Sequence, residues 1–224
     1  MIHSFDSRDF FKRPHDQIAE AISKGDEAKI LKLINSNQLD INLVGIKAGL
    51  TLLVWAVMHQ NISIIKILLE LGADPNQMIF DPEGKTSLRF QLVALAAQGE
   101  DDILLETLVD AGGDVNSTYN GEPALFQAFY ARRWDRMRYL LDKGADIDQT
   151  DTSGVTPIIF LSMLDLYEQV HYLLERGADF KKKSLAGIDV CQILENFQLP
   201  LHSIEAVWQL KVKQFLVEKG IIFN

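Results

Sequence analysis

Side chains capable of catalysis are few in this sequence and are scattered along it. The lone cysteine, Cys191, has no sequence neighbour that would lower its pKa, so we interpret it as a small buried hydrophobe rather than a nucleophile. The histidines lack the spacing of metal ligands, and we interpret each one as solvated or packed. They are His3, His15, His59, His171 and His202.

The acidic residues between 100 and 110 are the remaining candidates for acid catalysis or cation binding. Their spacing does not match a calcium-binding loop. Negative charge at a helix N-terminus explains Glu100, Asp101 and Asp102 better. We therefore predict no catalytic residue, no bound metal and no cofactor, and we expect that the protein is not an enzyme. A small hydrolase built from inserted segments is the alternative.

The segment 130–139 indicates binding to another protein rather than catalysis. This segment holds four arginines, two tyrosines and a tryptophan, which are the side chains enriched at interface hot spots. Residues 90–131 before it carry seven acidic residues and no lysine or arginine. For Arg136 and Arg138, pairing with that acidic region and contact with a partner remain equally open. The residues for which we favour partner contact are Tyr130, Arg132 and Arg133.

The composition of the chain argues against nucleic acid and membrane as partners. The 224 residues include 22 lysines and arginines and 31 aspartates and glutamates, which gives a formal net charge of −9. Such a charge argues against a nucleic-acid binder, which needs cations facing phosphates. Residues 1–14 are charged where a signal peptide is apolar, and no apolar stretch approaches the ~20 residues of a membrane helix. We expect a soluble, cytoplasmic protein that contacts no membrane.

The elements that position these residues are indicated by an internal repeat. A phrase of the type Leu-Leu-Glu-Leu-Gly-Ala-Asp-Pro-Asn recurs four times, and its glycines are spaced by 40, 32 and 33 residues. They are Gly72, Gly112, Gly144 and Gly177. A second glycine series has spacings of 35, 37, 33 and 33 residues. Its members are Gly49, Gly84, Gly121, Gly154 and Gly187.

The period predicts a pair of short helices in each repeat. Between Gly49 and Gly72, apolar residues recur at helical spacing on both sides of a break at residues 60–61. We expect Gly72 to end the second helix in the left-handed conformation. We expect Thr51, Thr86 and Thr156 to cap the first helices. One such pair cannot bury its apolar face alone, so neighbouring pairs must stack.

At this point the sequence resembles a known family. The segment Gly154-Val-Thr-Pro-Ile-Ile-Phe-Leu161, followed by Leu-Leu-Glu-Arg-Gly-Ala-Asp179, is similar to the ankyrin repeat of about 33 residues. The resemblance implies an all-α fold, an ankyrin-repeat solenoid of about six stacked helix pairs including caps, with short hairpin loops. The repeats are expected to form one domain. Its expected parts are an N-terminal arm 1–13, a cap unit 14–42, repeats 43–76, 77–116, 117–148 and 149–180, and a cap unit 181–224.

Two regions are longer than the repeat requires, at 85–107 and 188–215. We expect the first insertion to lengthen the first helix of the third pair, near residues 92–97. We expect the added residues of the second, around 199–202, to precede a final helix that Ser203 caps and that stops at Gly220. Insertions in a solenoid lie on one face and often contact partners. The family histidine of the first helix is replaced by Val54, Arg89, Phe126 and Ile159.

The resemblance also implies where a partner would bind, because ankyrin repeats use hairpin tips and the exposed side of the first helix. We expect contact across the second to fifth units, centred on Tyr130, Arg132 and Arg133. The full expected set is Lys47, Met58, His59, Glu83, Lys85, Tyr119, Asn120, Glu122, Tyr130, Arg132, Arg133, Trp134, Ser153 and Met163.

The expected function is therefore non-catalytic binding of another protein by a chain that is monomeric on its own. The repeats resemble those of small bacterial ankyrin proteins of the toxin-immunity type, which implies binding and neutralisation of a cognate secreted toxin such as a lipase-type effector. A secreted bacterial effector that binds a host protein and a general intracellular scaffold remain the alternatives.

Overall fold

The helix pairs that the period predicts are present. A computed structural model describes residues 6–37, 39–46, 49–80, 89–196, 199–200 and 203–223. Within these residues, a short helix is followed by six successive helix pairs. Contacts between Cα atoms divide the chain into a first unit, Met1–Arg138, and a second unit, Tyr139–Asn224.

The four internal pairs share one plan, in which a helix of seven residues precedes a helix of nine. The first unit begins with α1 (Ser7–Phe10), α2 (His15–Lys24), α3 (Glu27–Asn37), α4 (Leu52–Met58), α5 (Ile62–Glu70), α6 (Leu92–Gln98), α7 (Asp102–Asp110) and α8 (Ala124–Tyr130). They are followed by α9 (Trp134–Asp142), within which the unit boundary falls, and then by α10 (Pro157–Met163), α11 (Tyr167–Glu175), α12 (Val190–Asn196) and α13 (Ile204–Glu218).

Local side-chain signals set the ends of these helices, as the second pair shows. The Thr51 hydroxyl accepts from the Val54 amide (3.3 Å), and the Asn61 side chain accepts from the Ile64 amide (3.1 Å). Gly72 adopts φ 91° and donates its amide to the Leu69 carbonyl, as predicted. In the last pair, the Ser203 hydroxyl caps α13 at the Ala206 amide (3.0 Å), which confirms the predicted start of that helix.

The third pair corrects two predictions. Helix α6 has the same seven residues as its counterparts, so the expectation that the insertion lengthens it is wrong. The physical reason is that α6 packs against α8, which also has seven residues, and the extra residues lie before α6 instead. Gln91, not Thr86, therefore stands at the N-cap position, and Arg89 lies on a strand rather than at the histidine position. Thr86 itself lies outside the described residues.

The prediction that the Thr156 hydroxyl caps the next helix is also wrong. Thr156 occupies the N-cap position of α10, but its hydroxyl makes no capping bond, and the buried Oγ1 has no hydrogen-bond partner among the described residues. Pro157 at the first helical position lacks an N–H and therefore needs one acceptor fewer.

The hairpins before α6 and α8 join in a small sheet within the first unit. Its strands are β1 (Ile79–Phe80), β2 (Arg89–Phe90), β3 (Thr118–Tyr119) and β4 (Glu122–Pro123). They are antiparallel in the order β1-β2-β3-β4. One row of paired residues runs Ile79, Phe90, Tyr119 and Glu122. The short hairpins that were predicted are thus hydrogen-bonded to one another through the inserted strands.

Two asparagines, Asn42 and Asn76, link adjacent repeats of the first unit. Asn76 donates its side-chain amide to the Gly112 carbonyl (2.9 Å) and accepts from the Asp114 amide through Oδ1 (2.7 Å). Asn42 makes the same two bonds to Gly72 and Asp74. One amide side chain thereby satisfies a donor and an acceptor of the next hairpin.

Each unit buries its own apolar core. In the first unit, Trp55 and Phe126 are among the largest fully buried side chains, and in the second unit Tyr167 is. Ile159 and Leu173 of the second unit have no exposed surface. Removing an aliphatic side chain of this size from water contributes ~1.5–3 kcal/mol, so the apolar faces predicted from the helical spacing supply the stability of the stacked pairs.

Candidate protein-binding surface

One arginine of the segment 130–139 is buried within the fold. Arg136 is 2% exposed, and its Nε donates to Asp102 Oδ1 (2.6 Å). Its Nη1 donates to the carbonyls of Ala96 (2.8 Å), Ala97 (3.3 Å) and Gly99. A cation thus closes the C-terminal end of α6, where unpaired carbonyls concentrate negative charge. Of the two alternatives left open for Arg136, intramolecular pairing is the one observed.

Two neighbours of Arg136 are also engaged within the chain. Arg133 Nη2 donates to the same Asp102 Oδ1 (2.8 Å), and its Nε lies 3.6 Å from Asp135 Oδ1. The Arg133 side chain keeps 29% of its surface exposed. Trp134 is half-buried, with its ring 6.4 Å from that of Phe129. Arg133 and Trp134 therefore have structural contacts in addition to the partner contact predicted for them.

Tyr130 and Arg132 present more of their surface to solvent. Tyr130 ends α8 and is 52% exposed, and its hydroxyl donates to Glu122 Oε2 (3.4 Å). Arg132 is exposed in the turn after α8, where φ is 53°. Gln60 and Asp165 have a similar left-handed φ two residues after α4 and α10, so this conformation belongs to the inter-helix turn of the repeat.

The small sheet continues this surface. Tyr119 pairs with Glu122 in register, and its ring lies 5.5 Å from that of Phe90 on β2. Both aromatic residues are half-buried. We call the set Tyr119, Glu122, Tyr130 and Arg132 the Tyr130 surface. Four residues that were predicted from separate positions of the repeat are thus found on one hairpin and the helix and turn that follow it.

Asn120 has a structural part in this surface. It adopts φ 53° at the tip of the β3–β4 hairpin and donates its amide to the Arg89 carbonyl (2.6 Å). Its side-chain Oδ1 accepts from the Arg89 amide (3.0 Å). The Arg89 guanidinium lies 5.8 Å from the ring centroid of Phe80, which is 47% exposed. Asn120 therefore fixes β2 against β3 and holds an exposed cation and an exposed aromatic ring beside the Tyr130 surface.

The predicted contacts in the second pair are less exposed. His59 Nε2 lies 3.0 Å from Ser23 Oγ, and its ring is 5.2 Å from that of Trp55. The Trp55 indole donates to the Ala19 carbonyl (3.0 Å). Met58 is half-buried at the end of α4. Hydrogen bonds from α4 to α2 thus involve the predicted histidine, while Met58 retains an accessible face.

The remaining predicted residues fall in the second unit or outside the described residues. Ser153 is exposed, and its carbonyl accepts from the Leu185 amide (3.1 Å). Met163 ends α10, is 47% exposed and lines a cavity of about 480 Å³. Lys47, Glu83 and Lys85 lie outside the described residues.

Sequence reasoning missed Phe80 and Phe90, which belong to the insertion. A strand of two residues has no detectable alternation, so their positions could not be predicted from pattern. It also missed Asp165 beside Met163. Like Arg132, Asp165 stands two residues after the first helix of its pair and has positive φ.

The described side chains show little that could perform catalysis. Burial raises the pKa of the half-buried Cys191 thiol, and the charge of Asp189 and Glu195 acts in the same direction. Such a thiol is a poor nucleophile at neutral pH. Among residues with described positions, no group of three or more histidine, cysteine or acidic side chains could hold a metal ion. None of the described helices is both long enough and apolar enough to cross a membrane.

Four successive helix pairs of equal length, linked by hairpins that carry exposed polar and aromatic residues, define a helical repeat protein. The family model for ankyrin repeats in three copies matches residues 92–184, and a single ankyrin repeat matches residues 48–77. Together these ranges cover more than half of the chain. The chain therefore belongs to the ankyrin repeat family, whose members serve as protein-binding modules.

Relatives share part of their length with this chain. Protein PhlB of Serratia liquefaciens is 32% identical over 146 residues, which cover 63% of this chain and 59% of that protein. L-asparaginase of Dirofilaria immitis is 27% identical over 177 residues, 67% of this chain and 30% of that protein. An ankyrin repeat and KH domain-containing protein of Caenorhabditis briggsae is 26% identical over 145 residues, 55% of this chain and 6% of that protein. The chain thus spans less than two thirds of each.

Solved structures show the same fold. The ankyrin repeat domain of Bcl-3 matches with a TM-score of 0.66 and 21% identity, covering 92% of this chain and 86% of that domain. A chain in the complex of the predatory endopeptidase Bd0816 of Bdellovibrio bacteriovorus with the immunity protein Bd3460 matches with a TM-score of 0.59 and 23% identity. That match covers 87% of this chain and 96% of the other.

Proposed function

We propose that this protein is a bacterial immunity protein, which binds a cognate secreted hydrolase and blocks its activity. The observation that carries the proposal is the likeness in fold, over 87% of this chain, to a chain from an endopeptidase–immunity protein complex. A rigid repeat surface suits inhibition by steric cover. The net charge of −9 favours a partner whose active-site rim is basic.

We further propose that the Tyr130 surface makes the central contact. Tyr130 and Arg132 are the residue types that dominate binding energy at protein interfaces, and both expose a large part of their side chains. The hydrogen bond to Glu122 holds the Tyr130 ring in place, so little side-chain entropy is lost when a partner covers it. Arg133 supports this surface through its ion pair with Asp102.

The test begins with the gene neighbourhood. A secreted hydrolase encoded beside this gene should stop the growth of a bacterial host when it is expressed alone, and co-expression of this chain should restore growth. The two purified proteins should form a stoichiometric complex in which hydrolase activity is lost. A complex that retains full activity would contradict the immunity role and favour a scaffold, while binding only to a host protein would favour an effector.

The surface is tested with Tyr130→Ala and Arg132→Asn in one variant. Asparagine tolerates the left-handed turn, so the change removes charge without changing the backbone. The variant should lose ~2 kcal/mol or more of binding free energy, about thirtyfold in Kd. Its melting temperature should stay close to that of the wild type. Lys181→Ala, which removes an exposed charge of the second unit, is the matched control and should bind normally. Equal losses in both variants would refute the assignment.

A further inference from the structure

A cavity of about 480 Å³ lies within the second unit, where the end of α10, the segment 186–188 and helix α12 meet. It is distinct from the Tyr130 surface, which belongs to the first unit. Its apolar walls come from Met163, Ala186, Ile188 and Ile193. Its polar groups include Asp165, Gln192 and Asn196.

Asp165 gives this cavity its charge. The residue is half-buried, and none of the ion pairs found among the described residues involves it. By contrast, Asp189 nearby is paired with Lys183 (3.3 Å), and Asp148 with Lys182 (4.0 Å). The Asp165 side chain hydrogen-bonds with Tyr167, but no described cation neutralises its charge, so a cation that enters the cavity can pair with it.

The backbone holds Asp165 in this position. Its φ is 57°, its amide donates to the Ser162 carbonyl (3.2 Å), and the next amide, of Leu166, donates to the Leu161 carbonyl (3.0 Å). The Gln192 side chain is also held, because its Oε1 accepts from the Asp189 amide (3.1 Å). That oxygen has a second lone pair for another donor. The Asp165 backbone and the Gln192 side-chain oxygen are therefore ordered before any partner arrives.

We propose that this cavity receives an arginine side chain of the partner protein. The aliphatic stem of arginine would lie along Met163 and Ile193, since long cationic side chains bury their methylenes on apolar surface. The guanidinium would donate to the Asp165 carboxylate and to the amide oxygens of Gln192 and Asn196. Its planar fork of five donors matches several fixed acceptors, whereas lysine offers a point charge that is more strongly hydrated.

This inference deepens the proposed function, because it gives the chemistry of one contact with the partner that the proposal requires. It also distinguishes the two units by the charge of the residue at one equivalent turn position. The turn after the first helix presents Arg132 in the first unit and Asp165 in the second, in the same left-handed conformation.

The cavity can be tested without any partner protein. The probe is the peptide acetyl-Gly-Arg-Gly-amide, added to the full chain labelled with ¹⁵N and observed by NMR. We expect saturable shifts at the amides of Gly187, Gln192 and Asn196, with a Kd on the order of millimolar for so small a ligand. The same peptide with citrulline, which has the shape of arginine without its charge, should bind at least about tenfold more weakly. Equal binding of the two peptides would overturn the proposal.

Asp165→Asn is the decisive variant. Asparagine retains the size of aspartate and tolerates the left-handed backbone, so the fold should persist while the charge is lost. We expect arginine-peptide binding to fall by about tenfold or more. Glu168→Gln makes the same change of charge at an exposed position of α11 outside the cavity and should bind as the wild type does. If Asp165→Asn is folded and binds the peptide unchanged, the proposal is wrong.

A lysine peptide and a norleucine peptide complete the design. Tighter binding of lysine than of arginine would reject the guanidinium and leave a general cation site, and tighter binding of norleucine would make the cavity an apolar one. Both results would overturn the assignment of arginine. Because these measurements need no hydrolase, arginine binding without inhibition of any hydrolase would refute the proposed function alone, and inhibition without arginine binding would refute the cavity alone.

Discussion

Two inter-helix turns of equal length end their first helices in different ways. After α10, in the second unit, the amides of Asp165 and Leu166 donate to carbonyls at the end of the helix, which requires the left-handed φ of Asp165. After α6, in the first unit, Gly99 donates to the Ala96 carbonyl, and Glu100 is not among the residues with positive φ. The Arg136 guanidinium donates to the carbonyls there instead.

The difference shows that a side chain from the next repeat can replace a backbone turn. An arginine with several donors in a fixed plane satisfies carbonyls that would otherwise need two backbone amides. The side-chain contacts made by the second helix of each pair, α7 and α11, also differ in charge. Arg136 binds Asp102 on α7, whereas in the second unit Tyr167, which is 1% exposed, accepts from Gln209 Nε2 (3.2 Å). The turn after α6 therefore depends on Arg136, which is distant in sequence, whereas the turn after α10 depends on its own backbone.

The largest effect should come from removing the arginine. Arg136→Ala leaves the carbonyls at the end of α6 without their side-chain donor and opens a void, and we expect a loss of roughly 2–4 kcal/mol in the free energy of unfolding. Urea denaturation followed by circular dichroism measures it. Gln169→Ala, at the corresponding position of α11, is the matched control and should cost less than about 1 kcal/mol. Similar losses would show that Arg136 does not replace the backbone turn.

A smaller effect should come from replacing Tyr167, whose contact with Gln209 is an uncharged hydrogen bond. Tyr167→Phe removes a buried hydroxyl that accepts a hydrogen bond from Gln209, and should cost about 1 kcal/mol near pH 7. Burial raises the pKa of Tyr167, the charge of Asp165 acts in the same direction, and the bond from Gln209 opposes both.

The raised pKa gives this prediction a pH dependence. Because the folded state holds the proton more tightly than the unfolded state, the stabilisation is complete below the unfolded pKa of about 10 and is lost as the pH rises through the folded pKa. Wild-type stability should therefore fall faster above pH 10 than that of Tyr167→Phe. Parallel curves of unfolding free energy against pH for the two proteins would contradict it.

The smallest effects concern glycine in the turns themselves. Asp165→Gly relieves a left-handed aspartate and should stabilise the protein by about 0.5 kcal/mol. Glu100→Gly gains nothing from glycine at a position without positive φ and should destabilise by about 0.5–1 kcal/mol through unfolded-state entropy. Melting temperatures of the two variants should shift in opposite directions. Shifts of the same sign would mean that the two turns do not differ in the way described.

Much of this architecture follows from the sequence alone. The glycine spacing predicted the helix pairs, and the types of residue at Thr51, Asn61 and Ser203 mark helix starts that the structure has. These signals are local, since a cap or a left-handed glycine depends on a few neighbouring residues. The same reasoning placed Tyr119, Glu122 and Tyr130 at recurring positions of the repeat, and the structure brings them together.

What could not be predicted depends on residues that are distant in sequence. Whether Arg136 pairs within the chain is decided by carbonyls 37 to 40 residues away, at the C-terminal end of α6 and the start of the turn that follows it. The sheet escaped prediction because two-residue strands carry no alternation. Asp165 escaped because a single aspartate in a turn is unremarkable until the walls of the cavity are known.

The asparagine links of the first unit have a consequence for how such proteins change length during evolution. Asn42 and Asn76 each bind backbone groups of the following hairpin, a glycine carbonyl and an aspartate amide. Each link binds only backbone atoms of a recurring phrase. A whole repeat can therefore be duplicated or deleted, and the asparagine can make the same hydrogen bonds to its new neighbour. The inserted strands after Asn76 leave its link intact, so a hairpin can acquire new surface without loss of the register on which the next repeat depends.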